Sequence, residues 1–219
     1  MKPNIGMVCA VAAPITNYPT ASTPEYGDGF VVSEARGATL TWETADGEFY
    51  GDDILLDSDM GIRGYTLDFE SAGVNADVRA NLLGELKIKG SDNQYFNRIN
   101  ASEPPFVGFG FVRVMRSNAG GNVVETYEAW VFHKMKFRLN NEETRTKEKN
   151  IEWRVPTLHG KGYGLVIDNT GKPSFADHKD FTSLSAAIGH IRNALNCVEG
   201  EVVPGDGGEE VVETEPAGG

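Results

Sequence analysis

The side chains able to do chemistry are few and scattered. His133, His159, His178 and His190 show no H-E-x-x-H spacing, and no C-x-x-C pair accompanies them. Cys9 and Cys197 lie near opposite ends. Two cysteines make no disulfide framework and read as reduced thiols of a cytosolic chain. Asp52, Asp53, Asp57 and Asp59 sit close together but miss the D-x-[DN]-x-[DN]-G order of a calcium loop, so they read as a solvated acidic loop. There is no G-x-S-x-G and no phosphate-binding Walker loop. Gly160, Gly162 and Gly164 lack the strand-loop-helix setting of a phosphate cradle and read as a turn. Among 32 acids no pair stands out as glycosidase carboxylates. The residues therefore favour a binding or structural role over an enzyme, with no cofactor and no metal.

The elements are more informative. Residues 104–137 read as a long β-hairpin around the turn Asn118–Asn122. Its first arm puts Val107, Phe109, Phe111 and Met115 on one face, and Phe106, Gly108, Gly110, Val112 and Val114 on the other. The return arm carries Tyr127, Trp130, Val131, Phe132, Met135 and Phe137. Both faces hold apolar groups, so the ribbon is expected to be covered on both sides, by its own domain and by a neighbouring subunit.

Residues 38–42 and 62–70 read as strands. Between them, residues 43–61 form an acidic excursion that also carries Phe49, Tyr50, Ile54, Leu55 and Leu56, too many apolar groups for a solvated linker. Residues 73–84 read as a short helix with Asn75 as N-cap and Gly84 as left-handed terminator. A brief strand is expected at 86–89 and a loop at 91–103. The charged stretch 139–150 reads as a solvated loop. Strands are expected at 151–157 and 164–167, with a tight turn at 168–173. Phe181, Leu184, Ile188, Ile191 and Leu195 form the stripe of a C-terminal helix over 181–196 that packs on the sheet.

The 219-residue chain thus divides into 1–37, a proline-broken extended arm, 38–196, a β-domain, and 197–219, an acidic disordered tail. The fold class is mainly β, a sandwich or barrel of seven or so strands, with one short internal helix and one C-terminal helix. No apolar run approaches a membrane span, and no signal peptide is read. Net charge is −12. Much of it lies in the tail, where Glu199, Glu201, Asp206, Glu209, Glu210, Glu213 and Glu215 meet no Lys or Arg. An acidic body argues against tight binding of duplex nucleic acid.

Several pieces, in order, resemble the major tail protein family of long-tailed bacteriophages. They are DVRANLLG at 77–84, PPFVGFGF at 104–111, WVFHKMKF at 130–137, EETRTK at 142–147 and VPTLHG at 155–160. The resemblance covers roughly 38–195 and is carried by the combination. It implies a tail-tube β-sandwich flanked by a helix, forming hexameric rings stacked into a tube through which the genome passes. It implies as partners copies of the chain itself, tail tip, tape measure and terminator proteins, and DNA that passes without adhering. It also implies a place in the virion, preceded by the host cytoplasm, with no membrane insertion.

On that reading the excursion, with Phe49, Tyr50, Asp52, Asp53, Ile54, Leu55 and Leu56, is expected to reach the adjacent ring. Asp68, Glu70, Glu125 and Glu128 are expected to include lumen-facing acids that repel phosphate. The acidic tail and the long N-terminal stretch depart from the family pattern. A tube protein of a type VI secretion or tailocin-like system is the near alternative. A monomeric carbohydrate- or peptide-binding sandwich, using Trp42, Tyr50, Trp130 and Trp153, is the distant one.

Overall fold

The computed structural model describes residues 4–45, 47–51, 54–59, 61–89, 94–99, 103–119, 122–139 and 156–197. In chain order the elements are β1 (Asn4–Asn17), β2 (Glu25–Tyr26), β3 (Phe30–Ser33), β4 (Ala35–Thr44), β5 (Gly47–Gly51), β6 (Ile54–Asp59) and β7 (Ile62–Ser71). Then come α1 (Ala76–Leu83), β8 (Leu86–Lys89), β9 (Tyr95–Arg98), β10 (Val107–Ala119), β11 (Asn122–Leu139), β12 (Thr157–Gly162), β13 (Ala176–Phe181) and α2 (Leu184–Ala194). The chain is mainly β with two helices, as its sequence leads one to expect. It has more strands than the seven or so expected.

Nine strands form one sheet with the order β2-β1-β10-β11-β12-β7-β4, while β13 adds to β11 and β3 to β1. Only Glu34 separates β3 from β4, yet β3 pairs with β1 and β4 with β7. This one bent run brings the two margins of the sheet together, so the sheet folds around a single interior. Tyr65, Leu67, Phe69, Phe109, Phe111, Phe132, Met135, Phe137 and Leu158 fill that interior. No helix among the described residues is long and apolar enough to cross a membrane.

The β10–β11 hairpin forms as expected, in register from Phe109↔Phe132 to Ala119↔Asn122. Its inner face, Val107, Phe109 and Phe111, enters the interior, and its outer face packs with α2 through Val112, Ala129, Val131, Ile191 and Leu195. The chain itself thus covers both faces of the base of this ribbon, and no neighbour is required there. Gly108 and Gly110 explain the close approach. A Cβ at Gly108 would lie 2.4 Å from Tyr26 Cε1 and 2.7 Å from Leu195 Cδ2.

The short helix α1 follows its sequence signals. The Asn75 side chain accepts from Val78 N at 2.8 Å, and Gly84 closes the helix at φ 74°. The C-terminal helix begins at Leu184, not Phe181, because Phe181 ends β13 in register with Tyr127.

Several expectations are corrected. Residues 1–37, read as an irregular arm, contribute β1, β2 and β3, and Ala10, Val11, Ala12 and Ala13 are fully buried. Ala10 and Ala12 face the interior while Val11 and Ala13 face α2, so burial on both sides leaves no alternation to read. Stretch 91–103, read as loop, holds β9, which pairs with β8 from Leu86↔Arg98 to Lys89↔Tyr95. Gly160 and Gly162, read as a turn, are strand residues of β12 facing the interior. A Cβ at Gly162 would sit 1.9 Å from the Tyr65 ring, which occupies that space instead. At 164–167, read as a strand, only the isolated bridge Leu165↔Ser174 forms. The turn that follows is as expected, with Asp168 accepting from Thr170 N at 2.9 Å and Gly171 at φ 71°. The charged stretch 140–150, the strand expected at 151–155 and the tail 198–219 lie outside the described residues.

Candidate assembly surfaces

Three two-stranded stretches stand outside the main sheet's lateral pairing, two of them separate sheets and one the end of the β10–β11 hairpin. The first is the excursion 43–61. It is a hairpin in which β5 and β6 pair from Gly47↔Asp59 to Gly51↔Ile54. Phe49 and Tyr50 lie on β5 and Ile54, Leu55 and Leu56 on β6, while Asp52 and Asp53 lie outside the described residues. The expected long loop is therefore a β-ribbon.

The second ribbon is β8–β9, anchored to α1. Arg79 donates from Nε and Nη2 to Glu85 at 2.7–3.1 Å, and Asn97 Nδ2 donates to Ala76 O at 2.6 Å and to Glu85 at 3.1 Å. These donors hold the Glu85 carboxyl below its ordinary range, the hydrogen bond from Arg79 most strongly, against the opposing effect of burial. Lys87 pairs with Asp77 and lies 4.9 Å from the Tyr95 ring. Around these polar anchors Leu86, Tyr95 and Phe96 are exposed, and Ile99 is 76% exposed. Register puts Leu86 and Phe96 on one face of the ribbon and Tyr95 on the other, so large apolar side chains are exposed on both faces.

The third is the distal half of β10–β11, beyond the cover of α2. Arg113 pairs with Glu128 at 3.6 Å and lies 4.6 Å from the Trp130 ring, Arg116 pairs with Glu125 at 2.7 Å, and Val123 and Val124 are exposed at the tip. Glu125 shares its face with Tyr127, Ala129 and Val131, and Glu128 shares the opposite face with Trp130 and Phe132.

The four acids expected near a lumen thus do not share one face. Asp68 and Glu70 lie together on the outer face of β7, opposite Leu67 and Phe69. Asp68 Oδ1 is 2.6 Å from His159 Nδ1. That outer face runs across the strand partners Arg138, His159, Asp68 and Thr39, then Lys136, Lys161, Thr66 and Thr41. It is polar throughout, but cationic on β11 and β12 and anionic toward β7 and β4. Sequence reasoning named its acids and missed its cations. Their period-2 spacing in KMKFR was the available signal.

Four strands of the main sheet, β2, β3, β4 and β13, pair on one edge only among the described residues, and two of these open edges are those of β4 and β13. Between them lies an open groove of about 620 Å³ lined by Trp42, Trp130, Asp177, His178, Lys179 and His190. Of the aromatics considered for a binding module, the fold brings Trp42 and Trp130 together there. Tyr50 lies apart on β5, and Trp153 is outside the described residues. Trp130 Nε1 is buried without a hydrogen-bond partner. Among the described residues no three His, Cys, Asp or Glu side chains gather as a metal site requires. The chain matches no protein-family model and no curated protein.

Proposed function

We propose that this chain is a structural subunit that assembles with copies of itself into stacked rings forming a hollow tube, as the resemblance to phage tail-tube proteins implies. The observation that carries the reading is the pair of two-stranded sheets separate from the main one, above all β8–β9 with its exposed Leu86, Tyr95, Phe96 and Ile99. An isolated two-stranded ribbon is marginal in water, and an apolar one is an aggregation hazard. Docking on neighbouring subunits removes both problems, and unpaired edges such as that of β4 allow sheets to continue from copy to copy.

In this tube the β5–β6 ribbon reaches the next ring. The outer face bearing Asp68 and Glu70 supplies lumen acids, and DNA passes without adhering. Tail tip, tape measure and terminator proteins bound the tube in a phage virion, and no catalytic step is assigned. A secretion or tailocin tube is the near variant, separated by whether the neighbouring genes encode secretion or tail-assembly proteins.

The test is negative-stain electron microscopy of concentrated protein beside size-exclusion chromatography. Rings or tubes of uniform width are expected. If neither the concentrated protein nor the protein mixed with tail-tip components forms them, the reading fails. The Trp42–Trp130 groove favours a second reading, a binding module for a glycan or peptide. It predicts a stable monomer whose tryptophan fluorescence shifts on titration with ligand, and loss of that shift in Trp42→Ala.

A further inference from the structure

Four cations crowd one strip of an otherwise acidic molecule. Lys136 and Lys161 face each other directly across β11 and β12, and Arg138 faces His159 in the next pair. Like charges opposite each other oppose folding, so this arrangement calls for an anionic partner. Lys134 adds to it. Its Nζ lies 4.6 Å from the Tyr18 ring and 4.1 Å from the Phe106 ring, while Lys136 Nζ lies 4.3 Å from Phe106. Burial, reinforced by the Lys136 charge, lowers the Lys134 pKa from its ordinary value. Among the described residues the acids that reach the strip are the exposed Glu103, 2.5 Å from Lys136, and Asp68 on His159.

The described chain ends close by. After α2, Asn196 Nδ2 donates to Gly27 O at 3.4 Å and Gly27 N donates to Pro14 O at 2.9 Å. The next residue, Ile15, donates from N to Phe106 O at 3.0 Å, and Phe106 carries both lysines. From Cys197 onward the sequence holds seven Asp and Glu and no Lys or Arg. A random-coil chain of that length would span roughly 25 Å on average and ~70 Å at full extension.

We propose that the acidic C-terminal segment, residues 198–219, docks in cis on the basic strip formed by Lys134, Lys136, Arg138 and Lys161. Tethering makes the local concentration of carboxylate high, so individually weak exposed pairs add up. The segment neutralises a surface that would otherwise hold polyanions. This does not depend on the tube reading.

Zero-length carbodiimide cross-linking of the dilute full chain tests it. Cross-links within one chain are expected between Lys134, Lys136 or Lys161 and the carboxylates of 199–215, and they are expected to fall several-fold in 1 M salt. Absent cross-links, or cross-links only between chains, would overturn the proposal. A second arm measures elution from immobilised heparin. The chain truncated after Cys197 is expected to elute at higher salt than the full chain, and K136E/K161E in the truncated chain is expected to abolish the gain. Truncation acting through net charge alone would leave the gain intact in K136E/K161E and would refute the docking. Heparin retention unchanged by truncation would refute it too, and would assign the strip to a separate anion.

Discussion

At the scale of single residues, the interior is set by which positions carry no side chain. Gly160 and Gly162 stand under Met135, Phe137 and Tyr65, and those rings and methyls occupy the volume a Cβ would need. Gly162→Ala is therefore expected to destabilise the fold by about 1–3 kcal/mol, read as a lower denaturant midpoint with an unchanged slope. His133 is the second residue with a clear consequence. It is buried beside Asp177, at 3.6 Å, and burial lowers its pKa although the Asp177 charge opposes this. A base with a depressed folded pKa leaves the unfolded chain binding more protons below the ordinary histidine range. Stability should therefore fall as pH drops through about 6.5, until His133 also protonates in the fold. His133→Asn should flatten that part of the stability–pH curve, and a curve of unchanged slope there would show that the titration lies elsewhere.

At the scale of elements, α1 and the ribbon it anchors make separable predictions. Asn75→Ala removes the Val78 cap and should cost about 1 kcal/mol without altering association. Phe96→Glu with Ile99→Glu alters exposed side chains only, so the monomer should keep its melting temperature within a few degrees, and under the proposed tube assembly rings and tubes should be lost from micrographs. Tubes that persist would remove β8–β9 from the interface.

How legible each element was follows from its environment. The β10–β11 hairpin and α1 were readable because their signals are local: period-2 faces, an Asn cap and a left-handed glycine. The strand β9 was not, because YFNR is short and lies largely in water, so no buried face marks it. Gly160 and Gly162 misled for a long-range reason, since what demands glycine is Met135 and Phe137 of β11 at the first and Tyr65 of β7 at the second. Among the candidate site residues, Asp68 and Glu70 are two apart in β7 and share its outer face. Glu125 and Glu128 stand three residues apart in one strand, so period-2 alternation places them on opposite faces.

At the scale of the whole molecule, residues 4–17 are structural. Deleting residues 1–17 removes β1, which pairs with β10, β2 and β3 and contributes to both apolar clusters. The expected result is loss of cooperative thermal unfolding and of the near-ultraviolet dichroism of the buried aromatics. A detachable arm would leave both intact and impair assembly alone, so this deletion separates the two roles.

The placement of β1 also orders events during synthesis. Its register with β10 runs from Asn4↔Met115 to Pro14↔Val107, so the first strand made waits for a partner encoded about a hundred residues later. At translation speeds of ~5–20 residues per second that wait lasts on the order of 5–20 seconds. Closing such a span costs about 4 kcal/mol of chain entropy before any pairing repays it. Throughout that interval β1 has only the short strands β2 and β3 to pair with, so the edge of Val8–Ala13 that β10 will cover stays open until the central hairpin emerges.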